Sequence, residues 1–117
     1  MGKRILIVDD SSLMRNRIKG ILKDEGHEVI GDAKNGREGV ELYKSLKPDL
    51  VTMDITMREM DGIEAARAIM NYDNNAQIIF LSNLDREKYS VDIEEIGAKG
   101  YVSKHQTREI VDLIARI

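Results

Sequence analysis

The fold is decided by the stretch from Asp49 to Gly62, which reads DLVTMDITMREMDG. Its residues Leu50 to Met53 are apolar or weakly polar, and they end at a single carboxylate, Asp54. An apolar run of this length is typical of a buried strand, and an acid at its end would lie at one edge of a sheet. Asp54 is therefore the first candidate for a reactive group.

Composition and charge limit the class of protein. The chain has 117 residues, of which 42% are hydrophobic and 33% charged, with no cysteine and a net charge of −3. We therefore expect one soluble globular domain over 1–117, in a reducing compartment such as the cytoplasm. Basic and acidic residues are interspersed, so we expect no nucleic acid binding. The apolar run Ile5–Val8 is too short for a membrane span.

Five apolar segments alternate with amphipathic ones. The segments predicted as strands are Ile5–Val8, Glu28–Ala33, Leu50–Met53, Gln77–Leu81 and Gly100–Ser103. Each is followed by apolar residues at helical spacing. Ser11 or Ser12 is expected to cap the first helix, Asn35-Gly36 to form a turn, and Asp85 to cap the fourth helix. Strict alternation predicts an α/β fold, a parallel sheet with helices on both faces.

Polar side chains follow four of these five strands. The first strand leads to Asp9 and Asp10, the third to Asp54, the fourth to Ser82 and the fifth to Lys104. Ligands of such sheets bind at the carboxyl ends of the strands, so we expect one shared site.

The charges of this predicted site favour a cation. Three carboxylates and one lysine sum to −2 when all are ionised. Mg²⁺, a hard ion that takes carboxylate and phosphate oxygens, would bring the sum near zero. Asp54 could then attack phosphorus, while Lys104 and Ser82 stabilise charge on the phosphoryl oxygens.

The chain resembles the receiver domain of two-component response regulators over essentially its whole length, and its pattern is most similar to the stand-alone chemotaxis members. The motifs that carry the resemblance are LIVDD at Leu6–Asp10, KPDLVTMDITM at Lys47–Met57, MDG at Met60–Gly62, Ser82, and YVSK at Tyr101–Lys104. The resemblance implies a doubly wound, flavodoxin-like sheet of five parallel strands in the order 2-1-3-4-5.

The resemblance also implies a role for each acid. Asp9 and Asp10 would hold Mg²⁺, directly or through water, together with Asp54 and the main-chain carbonyl of Thr56. Asp54 would accept the phosphoryl group from the phosphohistidine of a sensor histidine kinase. Lys104 would contact a phosphoryl oxygen.

The signalling step would involve a hydroxyl and an aromatic ring. Ser82 would move onto the phosphoryl group, and Tyr101 would change rotamer in response. The protein would be a phosphoacceptor switch rather than an enzyme, although it would assist its own phosphorylation and dephosphorylation. We expect a monomer whose target is a protein such as a flagellar motor switch component.

Other functions fit less well. Haloacid-dehalogenase-type phosphohydrolases need a second acid two residues after the first, where this chain has Thr56. A flavodoxin-like FMN site needs a Ser/Thr-rich loop where this chain has Asp9 and Asp10. Two rivals remain: a receiver that is never phosphorylated and serves as an interaction module, and a receiver cut from a longer regulator with a DNA-binding output domain.

The sequence departs from the family pattern at three places. Arg58 replaces a proline four residues after Asp54, and we expect it to alter phosphodonor attraction or phosphate lifetime. His105 replaces a proline after Lys104, so we predict a trans peptide bond there. Asn83 follows Ser82 in place of a small residue, and Asn83, Leu84 and Thr56 occupy positions that tune hydrolysis in the family.

Overall fold

The structure, a computed structural model, describes residues 2–83 and 86–117. Strands and helices alternate as the sequence predicts. The strands are β1 Arg4–Val8, β2 Glu28–Ala33, β3 Leu50–Met53, β4 Ile78–Ser82 and β5 Gly100–Ser103. The helices are α1 Ser12–Asp24, α2 Gly36–Leu46, α3 Gly62–Tyr72, α4 Ser90–Ile96 and α5 Glu109–Ala115. Short 3-10 turns, Arg86–Tyr89 and Lys104–Gln106, precede α4 and α5.

All neighbouring strands of the sheet are parallel, in the order β2-β1-β3-β4-β5. The predicted doubly wound α/β fold is therefore confirmed. The chain crosses to one side of β1 through α1 and to the other through α2, so the switch point lies between β1 and β3. Val8 pairs with Met53 there, and the next residues, Asp9 and Asp54, therefore leave the sheet side by side.

Alternate residues of each strand face opposite layers of helices, because side chains alternate along a strand. One core joins Leu6, Val8, Met53, Ile78 and Phe80 with residues of α2, α3 and α4. The other joins Ile5, Ile7, Leu50, Ile79 and Leu81 with residues of α1 and α5. The strands are thus buried on both faces, which explains their continuous apolar runs.

Side-chain caps fix the starts of three helices beside the sheet edge. Ser11, Asn35 and Asp61 accept hydrogen bonds from main-chain amides three residues later, at 3.2, 2.8 and 2.8 Å. Ser11 is therefore the capping serine of the two predicted. The turn predicted at Asn35-Gly36 leads directly into α2, since Asn35 caps the helix and Gly36 is its first residue.

The last two helices are shorter than the apolar stripes suggested. Ile93 and Ile96 are buried as expected, but Tyr89 belongs to a 3-10 turn and α4 begins only at Ser90. Asp85, the predicted cap, lies outside the described residues. Helix α5 ends at Ala115, so Ile117 packs on the core from beyond the helix. Within the described part of the chain, every helix is too short or too polar to cross a membrane.

Candidate functional site

Three carboxylates meet where β1 and β3 end. One carboxylate oxygen each from Asp9, Asp10 and Asp54 lies within 4.8 Å of the others. Asp9 and Asp54 are buried, with 1% and 4% of their surface exposed, whereas Asp10 is exposed. Successive residues point in different directions, so the Asp9-Asp10 pair supplies one buried acid and one at the mouth of the site.

The side chain of Lys104 lies between the two buried acids. Its Nζ is 2.8 Å from Asp9 Oδ2 and 3.2 Å from Asp54 Oδ1, and 8% of the side chain is exposed. Asp9 Oδ2 has no partner other than Lys104 among the described residues. One ammonium therefore faces two carboxylates and leaves an excess of negative charge.

This excess shows in the acid–base properties of Asp54. Burial and the charge of Asp9 raise the pKa of Asp54 to about 7, although Lys104 acts in the opposite direction. Burial tends to lower the pKa of Lys104, but its contacts with Asp9 and Asp54 outweigh burial and raise that pKa above 10.5. Without a further cation, Asp54 is thus only partly ionised near neutral pH.

The donor set fits a hard metal ion. The three acids supply oxygen ligands, which such ions prefer. The two buried acids share one ammonium, and a nearby cation would balance their remaining charge and lower the raised pKa of Asp54. Asp9, Asp10 and Asp54 could therefore hold a metal ion, and the family resemblance implies the carbonyl of Thr56 as a further ligand.

A cleft of about 350 Å³ opens over the acids and brings together most of the predicted site. Its lining residues are Asp10, Ser11, Asp54, Thr56, Ser82, Asn83 and Lys104. Ser82 ends β4 and is buried, and it pairs in register with Ser103, the residue before Lys104. Leu84, a predicted tuning residue, lies outside the described residues.

The backbone around Asp54 is fixed by neighbouring segments. The amide of Asp54 donates to Val8 O at 2.9 Å, and the amide of Gly62 donates to Ile55 O at 2.7 Å. A side chain at residue 62 would overlap the carbonyl of Asp54, so only glycine fits this close approach. The glycine of the MDG motif therefore helps to fix the position of Asp54.

Arg58 lies on the loop between Asp54 and α3 and lines a second cleft, of about 370 Å³, with Asp10, Lys34, Asn35 and Glu59. The loop turns sharply because Met60 N donates to Arg58 O at 2.8 Å, with φ of 70° at Glu59. Met60 O in turn accepts from Gly36 N at 3.2 Å. These bonds fix the main chain on either side of Glu59, and the cleft shares Asp10 with the acid site.

Two other predicted features lie on or next to β5. Tyr101 is half-buried and packs on the core formed with α2, α3 and α4. Its role as a switch aromatic stays a prediction. The peptide bond from Lys104 to His105 is trans, as predicted. Ser103 Oγ accepts from His105 N at 3.1 Å and so caps the 3-10 turn that follows.

Sequence reasoning missed Arg15. Its Nη1 donates to the main-chain carbonyl of Asp9 at 2.7 Å. The only sequence signal is a basic residue one turn into the helix after the acid pair, which is too common to indicate a role.

Comparison with known proteins agrees with this geometry. The family model of the response regulator receiver domain matches residues 5–116. Chemotaxis protein CheY of Thermotoga maritima is 48% identical over 118 residues, which cover 100% of this chain and 98% of that protein. CheY of Bacillus subtilis is 49% identical over 104 residues, covering 89% of this chain and 87% of that protein.

A solved structure extends the likeness to three dimensions. The crystal structure of the CheX-CheY-BeF3-Mg+2 complex from Borrelia burgdorferi contains a chain that superposes with a TM-score of 0.92 at 35% identity. The match covers 97% of this chain and 87% of that one. Sequence and structure thus agree over nearly the whole length: the chain belongs to the response regulator receiver family.

Proposed function

We propose that this CheY-like receiver is a two-component signalling switch that takes a phosphoryl group from a histidine kinase phosphohistidine onto Asp54. The observation that carries the proposal is the meeting of Asp54, two further acids and Lys104 at the carboxyl ends of β1, β3 and β5. A site with this charge pattern is suited to hold a cation and then a phosphoryl group.

Mg²⁺ is the metal that we assign to the three acids. Mg²⁺ is usually bound by a small number of carboxylates together with phosphate oxygens. The related Borrelia complex contains Mg²⁺ and BeF3. When bound, the ion would neutralise excess charge and orient the phosphoryl group. Asp9, Asp10 and Asp54, with the Thr56 carbonyl, would be its protein ligands.

The bonds that change in the transfer involve only Asp54 and the donor. An ionised oxygen of Asp54 attacks phosphorus, the P–N bond of the phosphohistidine breaks, and its electron pair returns to the imidazole nitrogen. Lys104 Nζ, already 3.2 Å from Asp54 Oδ1, stabilises charge on the phosphoryl oxygens. Ser82, in the same cleft, is placed to donate to another of these oxygens.

The output is a conformational signal and not a released product. Movement of Ser82 toward the phosphoryl group would change the packing of Tyr101 on the core, and a partner would read that change. The relatives named above are chemotaxis proteins. We accordingly propose a CheA-like kinase as donor, a flagellar motor switch protein as target, a cytoplasmic location and a monomeric chain.

Intact mass spectrometry tests the phosphoacceptor. The protein is incubated with Mg²⁺ and a small acyl phosphate, and we expect one added phosphoryl group. Asp54→Asn should take up none, chelation of the metal should abolish uptake, and Asp49→Asn, at the opposite end of β3, should react like the wild type. If the wild type takes up nothing, the chain is an interaction module that is never phosphorylated.

A further inference from the structure

The side chain of Arg15 reaches from α1 to the main chain between the first two acids. Its Nη1 lies 2.7 Å from the carbonyl oxygen of Asp9, and the side chain is mostly buried, with 18% exposed. That carbonyl belongs to the peptide group that joins Asp9 to Asp10. A hydrogen bond from a cation to it is stronger than one from a neutral donor.

Arg15 is itself held by an acid on the neighbouring strand. Its Nε lies 3.7 Å from Oδ2 of Asp32, and Lys19 pairs with the same oxygen. Asp32 pairs in register with Ile7 on β1, so it projects beside the strand that leads to the site. The two cations differ in one respect: Lys19 pairs with Asp32, whereas Arg15 contacts both Asp32 and Asp9.

With this contact, the whole main chain and one carboxylate oxygen of Asp9 are fixed. The amide of Asp9 donates to Ala33 O at 3.0 Å, its carbonyl accepts from Arg15, and its Oδ1 accepts from Ser11 N at 2.9 Å. Its Oδ2 contacts Lys104 in the site. The orientation of the peptide plane also sets the direction in which Asp10 leaves the chain.

We infer that Arg15, anchored by Asp32, is a positioning residue that holds Asp9 and Asp10 in the geometry required to bind the metal ion. The inference rests on the proposed function, because it concerns the same acids. Partners of metal ligands that do not touch the ion commonly change its affinity by 10–100-fold when removed. Arg15 acts in this way through a carbonyl oxygen rather than through a ligand side chain.

The test measures Mg²⁺ binding without any phosphodonor. Thermal unfolding is followed as Mg²⁺ is added, and the half-saturating concentration is read from the rise in Tm, since a ligand of the folded state stabilises it. We expect Arg15→Gln to raise that concentration roughly 10-fold. Lys19→Gln is the matched control, because it removes a partner of Asp32 and should leave the half-saturating concentration as in the wild type.

The outcomes separate this inference from a merely structural role and from the proposed function. If both variants lower Tm but neither changes the half-saturating concentration, or if Lys19→Gln changes it as much as Arg15→Gln, the inference is wrong. If Arg15→Gln does not fold, Asp32→Asn carries the test, with the same direction expected and an unchanged value refuting the idea. If the wild type neither responds to Mg²⁺ nor takes up a phosphoryl group, the proposed function itself fails.

Discussion

The carbonyl of Asp54 lies where a side chain of residue 62 would begin, so Gly62 and Asp54 fit together only because residue 62 has no Cβ. Gly62 also donates its amide to Ile55 at 2.7 Å. The start of α3 is thereby pressed against the main chain that carries the candidate nucleophile.

Replacement of Gly62 by alanine should therefore destabilise the protein. The new Cβ would collide with main-chain atoms, which cannot move aside as a flexible side chain would, and overpacking of this kind costs about 1–3 kcal/mol. Gly20, an exposed helical glycine with nothing near its ideal Cβ, is the matched control. Gly20→Ala should stabilise by about 1 kcal/mol. Urea unfolding measures both, and equal effects of the two changes would contradict the packing argument.

Removal of the Lys104 ammonium should separate phosphoryl transfer from metal binding. In Lys104→Met we expect the rate of phosphorylation by an acyl phosphate to fall roughly 100-fold, as when a transition-state donor is lost. Mg²⁺ binding should be tighter, because a cation beside Asp9 and Asp54 is gone. Mass spectrometry over time gives the rate, and the Mg²⁺ dependence of Tm gives the affinity. An unchanged rate would remove Lys104 from the mechanism.

The raised pKa of Asp54 determines the direction in which the stability of the protein changes with pH. Between the unfolded pKa of 3.8 and the folded value of about 7, the folded state holds the proton more tightly. The contribution of Asp54 to the free energy of unfolding therefore decreases as pH rises through this range, and it is constant above it. Urea unfolding in a metal chelator should show this fall in the wild type relative to Asp54→Asn.

Binding of Mg²⁺ should depend on the same proton. Since the metal needs an ionised Asp54, its apparent affinity should increase as pH rises from about 6 to 8 and then level off. Titration of Tm with Mg²⁺ at several pH values measures this. An affinity that is flat across the range would show that Asp54 is ionised throughout in the metal-free protein.

Charge at Arg58 should affect the encounter with small phosphodonors. Arg58 lines the cleft that shares Asp10 with the acid site, so its charge should attract an anionic donor. Arg58→Gln should slow phosphorylation by an acyl phosphate roughly 2- to 5-fold at low ionic strength and little in high salt, because salt screens exposed charges. Lys23→Gln, on the last turn of α1, controls for the loss of one exposed charge.

Arg58→Pro adds the backbone effect to the loss of charge. It would fix φ in the loop next to the turn at Glu59. We expect it to change dephosphorylation as well as phosphorylation. If both rates equal those of the wild type, Arg58 has no part in tuning the site.

The strands and the acids at their ends were predictable for simple reasons. A parallel sheet covered on both faces leaves continuous apolar runs, and the residue after each run must lie at the same edge. Asp9, Asp54 and Lys104 were therefore expected at one edge of the sheet. Their contact also depends on the strand order and on the length of the Lys104 side chain, because β4 lies between β3 and β5. The order of the strands could not be predicted from periodicity, and it was inferred from the resemblance to the family.

Other features depend on local competition that the sequence does not display. The 3-10 turn before α4 has the same apolar spacing as one more turn of α-helix, so Tyr89 was assigned to the wrong element. The positive φ at Glu59 is uncommon for a residue with a side chain. The contact of Arg15 with Asp9 depends on the rotamer of a long side chain, which helical periodicity cannot specify.

The bond from Gly36 N to Met60 O has a mechanical consequence. At the start of the segment after Asp54, the amide of Asp54 donates to Val8 O and the carbonyl of Ile55 accepts from Gly62 N. Near its end, Met60 O accepts from Gly36 N at the start of α2. Between these attachments lie residues 56–59, and a further bond from Met60 N to Arg58 O tightens the turn at the end of this span. The loop that brings Thr56 and Arg58 to the rim of the two clefts is thus anchored at one end to the strands that carry the acids and at the other to the start of α2.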